Sequence, residues 1–418
     1  MWSGGCATTK PTATPAHPYA FVANGGSHSV TVVDLEALKA VATIEVGRGP
    51  TDIRLRPHPA GENAGPSTPL GMTKADGRPE VWVVSTDAHE VAVIDAAARR
   101  VVARIPVGSR PFFVDFSPDG RRAYVANSGG GTVSVIDCAT RRVEATVAVG
   151  LAPGLARVTP DGRLVVVANR GDNTVSLIAA ASLRVVATIP VADSPEAIAV
   201  LPDSSKAFVT ASGARQVSAV DLRRRQLLAN IPVGETPVAL ALTPDGGELF
   251  VANFDSHTLT VINTWRNEVT ETLAAGRQPV QALFTPDGSQ LAVANFGSNQ
   301  IFFVETATRR VKEVIPVGHQ PETLAWTPDG RGLLVAHAGS NDLAVIPLGS
   351  RTMAALIPIS RPVRTLKGMA QASFSGSTLK KTRPTWLQVT LSCASSSLKR
   401  STSGVIRMKR KTPSPSRA

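Results

Sequence analysis

Thr159-Pro160-Asp161-Gly162 is one copy of a tetrapeptide that returns every 42 residues through most of the chain. A period of this length is typical of solenoids and propellers, in which one small unit of structure is stacked many times. Proline presets φ and glycine accepts a positive φ, so each copy predicts a tight turn between two strands. The other copies begin at Ser117, Leu201 (with serine replacing glycine), Thr243, Thr285 and Thr327.

Each unit contains four short runs of β-branched or alternating residues that are separated by turn sequences. In the third unit these runs cover residues 123–126, 132–136, 143–149 and 154–158. No helical period lies between them, which favours propeller blades over α/β repeats. Units begin near residues 19, 81, 123, 165, 207, 249, 291 and 333. We therefore predict an all-β propeller of eight four-stranded blades, with seven blades as the alternative.

The propeller is predicted to span residues 19–374, after a flexible leader at 1–18. The first repeat distance is longer than the others, which places an insertion loop at about 61–79, after an innermost strand. The first unit begins at its second strand. We expect a C-terminal segment near 362–369 to supply its innermost strand, because a shared blade closes the ring and removes free sheet edges.

The net charge of +12 belongs to the end of the chain. Residues 365–418 contain 11 Lys and Arg, and the last acidic residue is Asp342. The body has a net charge of +1, so a nucleic-acid surface on the propeller is not indicated. We predict that residues 375–418 form a basic, disordered tail. The tail is interpreted either as an arm for nucleic acid or an anionic surface, or as sequence translated out of frame, which we favour.

Several repeated segments carry a family resemblance. Residues 123–127 (Ala-Tyr-Val-Ala-Asn), 132–137 (Thr-Val-Ser-Val-Ile-Asp) and 187–191 (Ala-Thr-Ile-Pro-Val) resemble the YVTN family of β-propeller repeats. The resemblance covers residues 19 to about 364. It implies similarity to exported and surface-layer propellers, and more distantly to the propellers of d-type-haem nitrite reductases and to propeller lactonases. The matching residues form turns and strands, so they specify fold far better than function.

The first residues resemble the end of a bacterial lipoprotein signal, with small residues before Cys6 and a Thr/Pro-rich stretch after it. We expect Cys6 to be lipidated and the protein to be periplasmic or at the cell surface; a chance cysteine in a leader is the alternative. Cys138 follows a strand and is interpreted as an inert buried thiol. The chain has no CxxC pair that would indicate covalent haem or structural zinc.

In a propeller with this strand order, the loops leading into each innermost strand and those joining strands two and three share one face. That face is the default binding site. Arginines there predict an anionic ligand such as phosphate or carboxylate, with a solvated rim as the alternative. The two histidines could bind a metal or haem, act as acid and base, or be solvated. The candidate residues are Arg48, Asp52, Arg110, Glu196, Arg277, His319, Glu322 and His337.

No Gly-rich phosphate loop, Gly-x-Ser-x-Gly elbow or His-Glu-x-x-His motif is present. The leading functional prediction is therefore a non-catalytic, exported, monomeric propeller that binds a protein, a cell-envelope component or a small anionic ligand. No cofactor and no metal site are predicted. A lactonase, or a propeller associated with haem, quinone or redox chemistry, is the alternative. Nucleic-acid binding through the tail is a weaker one.

Overall fold

A computed structural model describes residues 18–57, 79–350 and 352–359, together with the backbone of 386–389. These residues form eight four-stranded sheets, so the prediction of eight blades is confirmed. The sequence segments predicted as strands do form strands. Successive β-branched side chains point alternately to the two neighbouring blades, and turn residues separate one strand from the next. Two 3₁₀ turns, Gly25–Ser27 and Thr86–Ala88, are the helical segments of the described chain. Within these ranges no helix is long and apolar enough to cross a membrane.

The strands follow one another in blade order. Blade 1 contains β1 (Tyr19–Asn24), β2 (Ser29–Asp34) and β3 (Lys39–Glu45), and blade 2 contains β4 (Pro50–Leu55), β5 (Glu80–Ser85), β6 (Glu90–Asp95) and β7 (Arg100–Pro106). Blade 3 contains β8 (Pro111–Phe116), β9 (Arg122–Asn127), β10 (Thr132–Asp137) and β11 (Arg142–Ala148), and blade 4 contains β12 (Pro153–Val158), β13 (Leu164–Asn169), β14 (Thr174–Ala179) and β15 (Arg184–Pro190). Blade 5 contains β16 (Pro195–Val200), β17 (Lys206–Ala211), β18 (Gln216–Asp221) and β19 (Gln226–Pro232), and blade 6 contains β20 (Pro237–Leu242), β21 (Glu248–Asn253), β22 (Thr258–Asn263) and β23 (Glu268–Ala274). Blade 7 contains β24 (Pro279–Phe284), β25 (Gln290–Asn295), β26 (Gln300–Glu305) and β27 (Val311–Pro316), and blade 8 contains β28 (Pro321–Trp326), β29 (Gly332–His337), β30 (Asp342–Pro347) and β31 (Ala355–Pro358).

A C-terminal strand completes the first blade, as predicted, but it lies later in the chain. The strand β32 (Trp386–Val389) pairs with β1, and the pairing is parallel, whereas the other strand pairs are antiparallel. The segment near 362–369, where closure was predicted, lies outside the described residues. So do residues 61–78 of the predicted insertion, residues 1–17 of the leader, which include Cys6, and the predicted tail apart from 386–389. The four-residue strand falls within the segment predicted to be disordered, and for the remainder of that segment the prediction stands untested.

The core lies between neighbouring blades. Alternate residues of the middle strands, such as Tyr124 and Val167, pack across the gap between blades 3 and 4. A matching cluster joins blade 8 to blade 1 and includes Leu334 and Val22. The ring is therefore continuous, and each blade has two blade interfaces of similar kind.

Repeated polar residues have structural roles that explain their regular spacing. Asn127 is wholly buried and donates hydrogen bonds to Thr132 Oγ1 (3.0 Å) and Ser134 Oγ (2.9 Å). Gly108 lies against this amide so closely that a Cβ there would be 2.6 Å from Asn127, which explains the repeated glycine. Asp161 accepts hydrogen bonds from Thr159 Oγ1 (2.6 Å) and the Arg163 backbone (3.0 Å). The repeated aspartate therefore stabilises the turn between two strands.

Cys138 is buried, and burial raises the pKa of its thiol to about 12. The thiol therefore stays protonated at neutral pH, and its interpretation as inert agrees with the structure.

Ion pairs at one repeat position join adjacent blades. Glu80 begins β5 and accepts hydrogen bonds from Trp82 Nε1 and Arg56 Nη1 (each 3.1 Å) and from Arg141 of blade 3. Burial raises the pKa of Glu80, but these hydrogen bonds outweigh burial and hold it below the ordinary value. Glu248 pairs with Arg309 in the same way between blades 6 and 7, but its side chain is 30% exposed against 10% for Glu80.

We predict that Glu80→Ala lowers the free energy of unfolding by about 3 kcal/mol, because it removes the acceptor of the buried Trp82 N–H and the carboxylate that pairs with the mostly buried Arg56 and the partly exposed Arg141. The matched variant Glu248→Ala should cost less than about 1 kcal/mol, because the Glu248 carboxylate is more exposed and pairs with no tryptophan N–H. Denaturant unfolding of both variants provides the measurement. Equal losses would show that the Glu80 network does not stabilise the blade interface as described.

Candidate functional site

The loops predicted to share one face do share it. The backbone N–H of Ser128, in the loop between the second and third strands of blade 3, donates to Arg110 O (2.9 Å) in the loop that leads into β8. The same pairing recurs in other blades, for example from Phe296 to Gln278 (2.9 Å). Of the loop candidates, Arg48, Arg110, Arg277 and His319 are exposed.

The other candidates are buried. Glu196 pairs with Arg170 Nη2 (3.2 Å), in a loop of the preceding blade. Glu322 is 2% exposed, and burial raises its pKa well above the ordinary value. No hydrogen bond or ion pair of the described residues joins Glu322, His319 and His337 directly to one another.

Asp52 belongs to a group of charged residues on the innermost strands of blades 2, 3 and 4, which is the region of a propeller that surrounds the central channel. These charged residues are Asp52 and Arg54 on β4, Asp115 on β8 and Arg157 on β12, and together with the aromatic residue Phe113 on β8 they are here termed the channel cluster. These are the third and fifth residues of their strands. Residues two apart on a strand point to the same side, so the spacing repeats one orientation in three consecutive blades.

The two arginines of the channel cluster meet at one aromatic ring. The guanidinium carbon of Arg54 lies 4.5 Å from the ring centroid of Phe113, and that of Arg157 lies 5.2 Å from it. Such cation–π contacts stabilise arginines that are removed from water. Arg54 and Arg157 are only 8% and 9% exposed. Burial lowers the pKa of Arg157, the charge of Arg54 adds to this effect, and Asp115 opposes it.

The two aspartates hold the innermost strands together. Asp52 Oδ2 accepts the backbone N–H of Val114 (3.0 Å), and Asp115 Oδ2 accepts that of Val158 (3.0 Å). Each carboxylate also faces an arginine, since Arg54 Nε lies 3.6 Å from Asp52 and Arg157 Nη1 lies 3.5 Å from Asp115. Burial, partly offset by Arg54, raises the pKa of Asp52 to about 6.

Several polar atoms of the cluster lack a hydrogen-bond partner among the described residues. They are Asp52 Oδ1, Arg54 Nε and Arg157 Nη2, and all are buried. Buried donors without partners are costly, and they are common where a ligand binds. The equivalent positions of blades 5 and 6 hold alanine, namely Ala197, Ala199, Ala239 and Ala241. Because those blades form without charges at these positions, folding alone does not explain the channel cluster.

Sequence reasoning selected Asp52 but missed Arg54, Phe113, Asp115 and Arg157. The available signal was a pair of charged residues two apart in an otherwise apolar innermost strand, as in Pro50-Thr-Asp-Ile-Arg-Leu55. The predicted rim arginines, by contrast, lie on exposed loops.

His337 is wholly buried at the end of β29, where most blades have the repeated asparagine. Its Nδ1 lies 2.6 Å from Asp342 Oδ1, which replaces the hydroxyl that the asparagine normally contacts. The proton of the neutral ring therefore lies on Nδ1, and Nε2 has a free lone pair. Nε2 finds no partner among the described residues, since the position of the second hydroxyl is occupied by Ala344.

Two other histidines have the opposite arrangement. His28 and His89 lie in loops between second and third strands, and each Nδ1 accepts a backbone N–H, which leaves the proton of a neutral ring on Nε2. The donors are Gly49 (3.2 Å) and Arg110 (2.9 Å). These hydrogen bonds connect each histidine to the loop that leads into the next innermost strand. No group of three or more His, Cys, Asp or Glu in the described part of the chain is arranged to hold a metal ion.

The fold and the channel cluster define an eight-bladed propeller with a charged site on one side of its channel. The model of the cytochrome D1 heme domain family matches residues 77–324, more than half of the chain. The chain therefore belongs to this family.

Solved structures show the same fold. A chain titled dihydro-heme d1 dehydrogenase NirN in complex with DHE is 18% identical, with a TM-score of 0.66, and the match covers 86% of this chain and 77% of that one. Hydrazine synthase of Kuenenia stuttgartiensis is 21% identical, with a TM-score of 0.51 and coverage of 73% and 99%. A protein of unknown function from Desulfotomaculum acetoxidans DSM 771 is 16% identical, with a TM-score of 0.55 and coverage of 69% and 98%. No curated protein sequence matches the chain.

We predict that Asp52→Asn stabilises the protein above pH 6. The pKa of Asp52 is about 6 in the folded protein against an ordinary value of 3.8, so the folded state binds the extra proton between these values and stability falls as pH rises through them. Asparagine keeps an acceptor for the Val114 N–H and cannot ionise, so it avoids the loss of stability that ionisation of Asp52 causes, up to about 3 kcal/mol at pH 8. The free energies of unfolding of the variant and the unaltered protein, measured at pH 4 and pH 8, test this prediction.

The control is Asp119→Asn in an exposed turn. There the hydrogen bonds from Ser117 and the Arg121 backbone outweigh partial burial and lower the pKa, so the substitution should destabilise the protein at neutral pH. If Asp52→Asn also lost stability at pH 8, the ionised carboxylate would be favourable where it lies and the charge balance described above would be wrong.

Proposed function

We propose that this propeller binds a haem-type tetrapyrrole on its channel face and takes part in haem-linked or redox chemistry. The channel cluster would pair with the carboxylates of the tetrapyrrole. Membership of the cytochrome D1 heme domain family favours this function over a plain binding scaffold. The observation that carries the proposal is the pair of buried arginines, Arg54 and Arg157, each with a guanidinium N–H that lacks a partner among the described residues.

A pair of buried arginines suits a carboxylate ligand for chemical reasons. Guanidinium groups bind carboxylates through two parallel hydrogen bonds, and they are less strongly hydrated than ammonium groups. The aromatic ring of Phe113 holds both guanidinium groups in place before a ligand arrives. Preorganised donors in a site with little water bind an anion more strongly than donors on a solvated rim.

The iron of such a group would need a ligand from His, Cys, Met or Tyr. The innermost strands of blades 2 to 8 carry none of these residues. His337 fits chemically, because metal-binding histidines commonly donate their other N–H to a backbone carbonyl or carboxylate. Nδ1 of His337 is hydrogen-bonded to the backbone O of Asp342 (3.3 Å) and lies 2.6 Å from its Oδ1. We therefore propose His337 as the residue that would ligate iron. The bound group would supply electron transfer or ligand binding at its iron.

Export to the periplasm or cell surface is part of the proposal, and its support is the lipoprotein-like sequence around Cys6. A protein or cell-envelope partner that binds the exposed rim, which includes Arg48, Arg110 and Arg277, is a further proposal.

The proposal predicts tight binding of ferric protoporphyrin IX and weak binding of its dimethyl ester. Loss of a hydrogen bond to a charged group is worth about 1.5–3 kcal/mol, so the ester should bind at least about tenfold more weakly. Arg54→Gln and Arg157→Gln should each weaken binding of the diacid by a similar factor and leave binding of the ester unchanged. The measurement is a titration that follows the Soret absorbance.

Arg163→Gln, in the exposed turn between β12 and β13, is the matched control and should bind the diacid like the parent protein. Equal affinities for the diacid and the ester, with no change in affinity in either arginine variant, would contradict the proposal. The ester comparison uses the unaltered protein, so it does not depend on the folding of a variant.

A further inference from the structure

We infer that the channel cluster binds an anion together with a proton, and that Asp52 is the group that takes up this proton. The inference rests on the proposed function only in assigning the anion to Arg54 and Arg157. It concerns how the site balances charge and applies to any anion that reaches the two arginines.

The charges of the cluster explain why a proton is needed. With both aspartates ionised, two arginines and two aspartates sum to zero. An added anion would leave a net negative charge among buried groups, where unbalanced charge is expensive. Protonation of one aspartate restores neutrality and frees an arginine to face the anion.

Asp52 is better placed than Asp115 to take up that proton. Asp52 is wholly buried, and its Oδ1 has no hydrogen-bond partner among the described residues. Protonation of Oδ1 therefore breaks no hydrogen bond that this oxygen accepts from the described residues. The side chain of Asp115 is 16% exposed and keeps the charge of Arg157 at 3.5 Å.

The surroundings of Asp52 support the same assignment. The charged groups that act on it are Arg54 on its own strand, Asp115 on β8 and Arg157 on β12, while the backbone N–H of Val114 donates to Oδ2. On its other side Asp52 lies opposite Val84 of β5, which is apolar. The pKa of about 6 is close to physiological pH, and a bound anion would raise it further by charge repulsion.

Linkage then fixes the direction of the pH dependence. If the pKa of Asp52 rises when the anion binds, the complex holds more protons than the free protein between the two pKa values. Affinity for the anion should fall by up to about tenfold for each pH unit in that interval, and binding should consume up to about one proton.

The test uses inorganic sulfate, which stays a dianion between pH 5 and 8, and calorimetric titration in buffers with different ionisation enthalpies. The dependence of the binding enthalpy on the buffer gives the number of protons taken up. The unaltered protein should take up a growing fraction of one proton as pH rises from about 5 to 7. Asp52→Asn should take up almost none and bind sulfate with an affinity independent of pH. Asp119→Asn, the exposed control, should behave like the unaltered protein.

Difference infrared spectroscopy of the unaltered protein provides a measurement that needs no variant. Addition of sulfate at pH 7 should increase the C=O band of a protonated carboxyl group. If sulfate binds and Arg157→Gln abolishes binding, but no proton is taken up and no band appears, the inference is overturned while the anion site stands. If sulfate binding is unaffected by Arg54→Gln and Arg157→Gln, the assignment of the anion to this site is overturned as well.

Discussion

Among the strands that the structure describes, the innermost strand of every blade has one edge without a strand partner, and this free edge constrains the centre of the molecule. Backbone N–H groups on such an edge need acceptors, because an unsatisfied buried N–H costs about as much as a lost hydrogen bond. In the described ring, side chains of the preceding blade supply acceptors at Val114, Val158 and Leu324, from Asp52, Asp115 and Gln281 respectively. Gln281 shows that a neutral amide meets this need. The carboxylates in blades 2 and 3 therefore do more than satisfy the backbone.

Buried carboxylates require nearby positive charge, and this requirement connects the fold to the proposed function. Arg54 and Arg157 neutralise Asp52 and Asp115 in the free protein, yet the ion-pair distances of 3.5–3.6 Å are long and leave guanidinium donors unused. A cluster that is neutral but incompletely hydrogen-bonded can exchange one aspartate for a ligand carboxylate at little electrostatic cost. Alanine at the same positions of blades 5 and 6 confines this capacity to one side of the channel.

The fold could be predicted from sequence because the information is local. The turn Thr159-Pro-Asp-Gly162 and the buried Asn127 form hydrogen bonds with residues only two to five positions away. The spacing at which they recur in the sequence is therefore the length of one blade. The site could not be predicted in the same way. Arg54, Phe113 and Arg157 are far apart in sequence, and only the ring brings them together. Comparison of the repeats drew attention to the loops, where the residues vary most. The charged residues that form the cluster, such as Arg54 and Arg157, lie instead inside innermost strands that are otherwise apolar.

The histidines illustrate the same limit. His319 and His337 looked equivalent in sequence, yet one is an exposed loop residue and the other is buried with Asp342. Which ring nitrogen is free depends on neighbours across a strand pair, and sequence spacing alone does not report it.

The most direct test of the central claim, that the carboxylates of the ligand bind on blades 2 to 4, is hydrogen exchange with and without ferric protoporphyrin IX. The account predicts slower exchange of backbone amides in residues 111–116 and 153–158, which carry the cluster, and unchanged exchange in residues 237–242 of blade 6. Slower exchange in 237–242, with 111–116 and 153–158 unaffected, would contradict it.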